Sequence, residues 1–285
     1  DGTLLAGAFS SPKEAEILKK YPEKSQFFGR IFEAKLPRTL FIIDIKTGKR
    51  IQTQPSSTQP PTHFVNSFDD YAFHENDSKN LVNSGNNWFG EYFENISSYD
   101  FPFDFPSIDF SKATVKVAMG ARSTEEESSY SMSCQSGFDT LAIDQVTSEY
   151  TYMNLGEKAF QFVPNSSTLT VNVTKKTASA LAWLDFIEVN VRRKLIMSGN
   201  QMFFRDANSK GIGHIAQFTL QANIPVTIWD VTDPENVYVQ RTANNQFAIT
   251  ADSLREFLAF TSQSFFTPKI CGVVANQNLH GIPNK

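Results

Sequence analysis

The chain has 285 residues, of which 40% are hydrophobic and 20% charged, with a net charge of −4 at neutral pH. This composition is typical of a globular protein with one large or two ordinary domains and enough chain to bury a core. The sequence has no basic stripe, so nucleic-acid binding is not expected. No apolar run approaches the roughly 18 residues that a membrane-spanning helix requires. The 26 phenylalanines, many in short alternating runs, favour β-sheet cores over helices.

The sequence of residues 1–75 predicts a small segment that contains both helix and strand. A helix is predicted over 11–25, because Ser11 can cap its start and Glu14 lies at the capping-box spacing. A strand is predicted over 40–45, followed by a hairpin-like turn. We therefore expect residues 1–75 to form a smaller β-rich N-terminal segment, a helix plus a β-hairpin, that is part of a domain.

From residue 85 onward the pattern predicts short strands separated by turns. Their ranges are 88–93, 113–118, 140–143, 159–163, 168–173, 182–191, 201–205, 215–220, 225–230, 237–240 and 246–250. The segment 102–106 contains two prolines, which predicts a loop or an edge strand. Many short strands with little helix predict a mainly β fold, an antiparallel, jelly-roll-like β-sandwich over 76–265.

Two cysteines, Cys134 and Cys271, are candidates for a disulfide or for catalysis. Their spacing alone does not place their Cα atoms within bridging reach, and buried free thiols are the common alternative. A nucleophilic cysteine needs an exposed thiol of low pKa with an imidazole in reach. Cys271 and His280 could meet across a loop and act as a peptidase pair, which is the weakest hypothesis. Cys134 is predicted to be a core thiol on a strand.

Two acidic segments are candidate cation sites. His74 and Glu75, with Asp69 and Asp70 nearby, carry the ligand types that zinc or calcium prefers. The alternative is a set of solvated loop side chains. The segment 230–235 could bind calcium at a sandwich edge, or form an Asp-Pro turn with an Asx hydrogen bond. We favour the alternatives without metal, and no cofactor is expected.

Aromatic residues on a jelly roll could stack on sugar rings. Trp88 and Tyr92, four residues apart on a predicted strand, share one face and are the best candidate ligand platform. Trp183 and Trp229 lie in apolar strands, where packing in the core is expected. A surface adhesin or carbohydrate-binding module is therefore an alternative interpretation. The basic run 192–194 could meet an acidic partner, but a solvated strand end is the favoured interpretation.

Five segments occur in an order that resembles one protein family. They are SGNNWFGEYF at 84–93, WLDFIEVNVRR at 183–193, FFR at 203–205, IWDVTDP at 228–234 and VANQNLHG at 274–281. The chain resembles the gingipain-type cysteine peptidases, and among them the PorU-like sortases of the type IX secretion system. The residues taken to represent the family motifs are Trp183, Asp185, Glu188, Arg192, Arg193, Asn276, Asn278 and His280.

The resemblance implies a non-catalytic accessory region of an exported, cell-surface peptidase. In this family the catalytic His and Cys lie beyond the NQNLHG segment, so no catalytic residue is expected in this chain. Residues 266–285 would be a linker that leads into a caspase-like peptidase domain. The implied partners are that domain in cis, secreted cargo proteins and an outer-membrane β-barrel of the PorV kind. The intact peptidase would remove sorting domains from cargo and attach the cargo to lipopolysaccharide.

Overall fold

The computed structural model describes residues 51–81 and 87–263, together with the backbone of three short strands nearer the N-terminus. The chain divides into two compact units. Ser67–Lys194 form the contiguous unit, and Asp1–Asn66 with Leu195–Lys285 form the split unit. This division differs from the boundaries expected at residues 75 and 265, because the sandwich ends at Lys194 and the strands after it belong with the preceding segment.

The strands in the first segment of the split unit are β1 (Gly7–Phe9), β2 (Arg30–Phe32), β3 (Thr39–Ile42), β4 (Gln52–Gln54) and β5 (His63–Val65). The contiguous unit contains β6 (Ser67–Glu75), β7 (Ser98–Asp104), β8 (Ala113–Arg122), β9 (Ser128–Cys134), β10 (Gly137–Ile143), β11 (Asn154–Phe162), β12 (Thr168–Lys175) and β13 (Leu181–Lys194). The second segment of the split unit contains β14 (Gln201–Arg205), β15 (Ile215–Thr219), β16 (Thr227–Asp230), β17 (Tyr238–Gln240), β18 (Gln246–Thr250) and β19 (Glu256–Phe260), with a 3-10 turn at Ala207–Ser209.

The contiguous unit is a β-sandwich. Its two four-stranded sheets have the orders β10-β9-β12-β7 and β11-β8-β13-β6, and every pairing within them is antiparallel. Most successive strands alternate between the two sheets, which is the jelly-roll pattern. The inward side chains of both sheets form one buried core, and its central members include Val115, Val117, Tyr130, Met132, Leu169, Val171, Val173, Ile187 and Val189. The structure confirms the predicted mainly β sandwich.

Local alternation of side chains explains which face of each strand is buried. In β12, Leu169, Val171 and Val173 are buried while the residues between them are more exposed, as the period-two pattern requires. In β7, Phe101 and Phe103 point into the core. Pro102 lies between them on an edge strand that pairs only with β12, so its missing N–H costs no ladder bond. Of the two predictions for this segment, the edge strand is confirmed.

The split unit depends on pairings between its two chain segments. Its described sheets have the orders β1-β3-β2, β14-β19-β16-β17-β4 and β18-β15-β5. β4 runs parallel to β17, and β5 runs parallel to β15, so both early strands join sheets made from the last third of the chain. Four phenylalanine rings pack together in its core, with Phe257 at ring-centroid distances of 5.2, 4.9 and 5.0 Å from Phe204, Phe218 and Phe247.

Some predictions from the sequence do not match the structure, and one lies outside the described residues. The predicted strand over 88–93 is instead an extended segment with isolated bridges at Phe89 and Tyr92. β6 was not predicted as a strand, and neither were β4, β5 and β19, while β9 was predicted only as a strand that carries Cys134. The predicted helix over 11–25 lies outside the described residues. No helix among the described residues is long and apolar enough to cross a membrane.

Candidate functional site

The residues of the WLDFIEVNVRR segment lie on β13, the longest described strand. β13 pairs with β8 on one side and with β6 on the other. The pairing with β8 shifts register between Leu184 and Phe186, so Asp185 occupies a β-bulge. Beyond the bulge, Ile187, Val189 and Val191 face the core and the residues between them face outward. With a partner on each side, β13 is one of the two interior strands of its sheet.

The two arginines at the end of β13 form ion pairs with β6. Arg192 Nη1 lies 2.8 Å from Asp69 Oδ1, and Arg193 Nη1 lies 2.7 Å from Asp70 Oδ2. Arg193 is buried, and its Nε donates a hydrogen bond to the carbonyl oxygen of Pro106 at 2.6 Å. The favoured interpretation of a solvated strand end is wrong for both arginines. A buried guanidinium such as that of Arg193 requires partners, and here two adjacent ion pairs join β6 to β13.

An aromatic cluster covers the start of β13. The Tyr92 ring stacks on the Trp183 ring at 4.9 Å with an interplanar angle of 14°, and the Tyr152 ring lies 6.1 Å from Trp183. Backbone hydrogen bonds from Phe93 N to Ala182 O and from Leu184 N to Glu91 O hold this segment alongside β13. Trp183 is consequently buried, which confirms its predicted packing, and buried Trp229 confirms the other.

The expected ligand platform of Trp88 and Tyr92 takes a different form. Trp88 is 40% exposed, but it does not lie on a regular strand. Tyr92 uses one face of its ring against Trp183 and is half-buried. The phenol oxygen of Tyr99 donates a hydrogen bond to the Tyr92 carbonyl, which fixes the backbone there. Alternation along a strand, the basis for pairing Trp88 with Tyr92, therefore does not apply to this segment.

Three carboxyl groups converge at the bulge of β13. Burial raises the pKa of Asp185, and the negative charge of Asp77 raises it further. The pKa of Glu75 is also raised, first by burial and then by Asp77 and Asp185. These groups repel one another. No group of three or more His, Cys, Asp or Glu side chains within 51–81 and 87–263 is arranged to hold a metal ion.

The predicted cation candidates have other partners. His74 Nε2 lies 3.0 Å from Glu91 Oε1, while Asp69 and Asp70 bind the two arginines of β13. In the 230–235 segment, Asp230 Oδ1 accepts a hydrogen bond from Thr232 N at 3.1 Å, and Asp233 Oδ1 accepts one from Glu235 N at 2.9 Å. The structure thus shows the Asx-type turns that were favoured over calcium.

Cys134 ends β9 as a buried, free thiol. Burial raises its pKa to about 11, so the thiolate that nucleophilic attack requires is scarce at neutral pH. This confirms the predicted core thiol. Cys271, Asn276, Asn278 and His280 lie outside the described residues. Glu188 is on the outer face of β13, where its Oε1 accepts a hydrogen bond from Asn190 Nδ2 at 2.6 Å.

Sequence reasoning missed a group of aromatic side chains on β6 and β13. Tyr71 and Phe73 are 45% and 47% exposed, and they point to the outer face of their sheet. The Phe73 ring stacks on Phe186 at 5.1 Å with an interplanar angle of 24°. The signal was present in the alternating aromatic residues of SFDDYAFHE. Because Asp69 and Asp70 lie beside them, the segment was interpreted as a solvated loop and not as a strand. We call Tyr71, Phe73 and Phe186 the aromatic face.

Comparison with known proteins identifies the fold. No family model and no curated protein matches the sequence. The structure is similar to dimeric latent PorU from Porphyromonas gingivalis, with a TM-score of 0.72 and 15% sequence identity over 90% of this chain. The chain spans 27% of the length of that PorU chain. CBM35 from Cellvibrio japonicus Abf62 is also matched, over 44% of this chain and 97% of its own, with 13% identity and a TM-score of only 0.32.

The likeness to PorU establishes that this chain has the fold of a PorU-like region. At this level of identity the shared fold is what the comparison shows, and activity and partners require their own argument.

Proposed function

We propose that this chain is a non-catalytic accessory region of a larger, cell-surface cysteine peptidase of the gingipain-like, type IX sortase kind. The observation that carries the proposal is the fold similarity to PorU over 90% of this chain. The order of the sequence segments from 84 to 281 supports it independently. The proposed parent protein carries its catalytic His and Cys in a caspase-like domain that follows in the same polypeptide.

The contacts of the motif residues support an architectural role. Trp183 packs under Tyr92, while Arg192 and Arg193 join β13 to β6. These groups are engaged within the unit and are not arranged around a reacting atom. Cys134 is a poor nucleophile because its thiol is buried and its pKa is raised. The described residues therefore suit a rigid module that supports or presents a separate catalytic domain.

The proposed accessory role has three possible forms. The region supports the peptidase domain in cis, docks secreted cargo, or contacts an outer-membrane β-barrel partner of the PorV kind. Each would take place at the cell surface after export. An adhesin or carbohydrate module built on Trp88 and Tyr92 has less support, because Tyr92 is stacked within the unit.

The decisive test is the coding sequence beyond Lys285, followed by an activity assay. We expect an open reading frame that continues into a caspase-like α/β domain with a His followed by a Cys. The purified longer protein should cleave a cargo protein carrying a C-terminal sorting domain, and replacement of that downstream Cys by Ala should abolish cleavage. The 285-residue chain alone should be inactive toward the same cargo. A stop codon near Lys285, or cleavage by the short chain that a Cys271→Ala change abolishes, would refute the proposal.

A further inference from the structure

The two outer faces of the contiguous unit differ in chemistry. On the β10-β9-β12-β7 sheet, β7 and β12 present small polar side chains that bond to one another. Asn172 Nδ2 donates to Asp100 Oδ1 at 2.8 Å and to Ser98 Oγ at 2.9 Å, and Ser98 Oγ lies 2.7 Å from Thr174 Oγ1. This is the ordinary composition of a solvated sheet face.

The outer face of the β11-β8-β13-β6 sheet carries two adjacent exposed rings on one strand, whereas the exposed ring on the other sheet, Phe138, is on β10. Tyr71 and Phe73 lie two residues apart on β6, so their side chains leave the same face about 6.6 Å apart along the strand. Phe186 supports Phe73 from the neighbouring strand by stacking at 5.1 Å. Tyr71 and Phe73 each keep nearly half of their residue surface exposed. Adjacent exposed aromatic side chains are typical of a binding surface, while single ones are not.

Hydrogen-bonding groups lie beside these rings. In the antiparallel register Asn190 is opposite Tyr71, and Glu188 is opposite Phe73. Such cross-strand neighbours have Cβ atoms about 5 Å apart. Lys116 Nζ lies 5.5 Å from the centroid of Phe186. The aromatic face is therefore bordered by an amide, a carboxylate and an ammonium group, which together supply donors and acceptors.

Acidic side chains outnumber basic ones around the aromatic face. Lys116 Nζ lies 2.7 Å from Glu157 Oε2, and Arg192 pairs with Asp69. Glu188, however, bonds to the uncharged Asn190, and Glu75 lies opposite Phe186. The contiguous unit as a whole contains 18 acidic and 10 basic residues. The aromatic face is thus bordered by an excess of carboxylates on an acidic body. An anionic ligand is repelled there, whereas the hydroxyl groups of an uncharged polar ligand can donate hydrogen bonds to Glu188 and Glu75.

We propose that the aromatic face binds a neutral saccharide chain. Tyr71 and Phe73 would stack on the apolar C–H faces of sugar rings, as aromatic side chains cover apolar surface. Asn190, Glu188 and Lys116 would exchange hydrogen bonds with the hydroxyl groups. The separation of the two rings along β6 is comparable to the length of one sugar residue. This site uses different residues from Trp88 and Tyr92, and it stands whether or not a peptidase domain follows.

The test is calorimetric titration of the full 285-residue chain with neutral hexasaccharides. Cellohexaose, xylohexaose, mannohexaose and maltohexaose are the probes, with polygalacturonate as a charged comparison. We expect saturable binding of at least one neutral probe and weaker binding of polygalacturonate. Tyr71→Ala and Phe73→Ala should each weaken binding about tenfold, the loss expected for one stacked ring. Phe73→Tyr keeps the ring and should retain binding.

The matched control is Phe138→Ala, which removes a 65% exposed ring from β10 on the opposite sheet. This change should leave affinity unaltered. The proposal is overturned if no neutral probe binds at millimolar concentration, or if Phe138→Ala and Phe73→Ala weaken binding equally. It is also overturned if sedimentation shows self-association that Phe73→Ala abolishes while no saccharide binds, since a second copy of the chain would then occupy the face.

Discussion

The contiguous and split units differ in how far apart in the sequence their paired strands lie. In the contiguous unit every strand finds its partners within Ser67–Lys194. In the split unit, Ser56 and Ala248 are hydrogen-bonded although they are 192 residues apart in sequence. Bringing together residues so far apart in the sequence costs conformational entropy, and this cost arises before the contacts that offset it are formed. In the folded protein this separation is shortened by the contiguous unit, because its two ends are held together by the pairing of Ser67 with Lys194.

The two units also differ in charge and in how their buried rings are arranged. The contiguous unit has 18 acidic and 10 basic residues, whereas the split unit has 12 acidic and 16 basic residues. The core of the contiguous unit mixes aliphatic and phenylalanine side chains between two sheets, and in the split unit the Phe257 ring packs against three other phenylalanine rings. Loss of Phe257 is therefore a direct test of the ring cluster, and loss of a paired charge is a test of the contiguous unit.

The largest expected effect is the loss of a central ring from the split unit. Phe257→Ala removes a fully buried side chain that contacts three other rings, and should cost about 4 kcal/mol of unfolding free energy. Hydrogen exchange should show lost protection in β14–β19. Phe203→Ala, a half-exposed ring on β14, should cost less than about 1 kcal/mol. Equal losses of unfolding free energy in the two variants would mean that the contacts within the ring cluster do not add to stability.

A smaller effect is expected from breaking a buried ion pair in the contiguous unit. Arg193→Ala removes the guanidinium that donates to Asp70 Oδ2 and to the Pro106 carbonyl, and should cost about 3 kcal/mol in urea unfolding. Arg205→Ala in the split unit breaks a pair with Glu256 whose side chains are about 40% exposed. This control should cost less than about 1 kcal/mol. A larger loss for Arg205→Ala would contradict the view that burial decides the value of each pair.

Lys175 provides the next test within the contiguous unit. Its Nζ donates hydrogen bonds to the carbonyl oxygens of Glu94, Ala178 and Ala180, at 3.3, 3.4 and 2.8 Å. Burial lowers the pKa of Lys175, and the charge of Glu94 opposes that shift. Lys175→Met should cost about 2 kcal/mol because it leaves those carbonyls unsatisfied. Lys176→Met, at an exposed neighbour, should have almost no effect on the urea midpoint.

The smallest expected effect is a gain in stability. Because the pKa of Asp185 is raised in the folded state above its ordinary value of 3.8, its ionised form disfavours folding at neutral pH. This penalty is relieved as the pH falls through the folded pKa toward that ordinary value. Asp185→Asn should therefore raise stability at pH 7 by a few tenths of a kcal/mol, after allowance for solvent screening. The gain over the wild type should shrink in acid and in high salt. A gain that is the same at pH 4 and pH 7 would contradict this account.

The sequence predicted those elements whose signal is local. Alternation of apolar residues gave β12 and most of β13, since a strand buries every second side chain wherever its partner lies. The two prolines in 102–106 predicted a loop or an edge strand, and the apolar neighbours of Trp183 predicted that its side chain is buried. β6 was missed because its acidic pair looks solvated until Arg192 and Arg193, more than a hundred residues later, are placed beside it.

By itself, therefore, the sequence determined that the protein is mainly β and which side chains each regular strand buries. Only the tertiary structure decided the unit boundaries, the ion pairs of β13 and the exposure of the aromatic face. It also brought His63 and His214 into a stack at 4.1 Å, through the parallel pairing of β5 with β15. The physical reason is that strand periodicity depends on neighbouring residues, whereas pairing, burial of charge and surface exposure depend on residues far away in the chain.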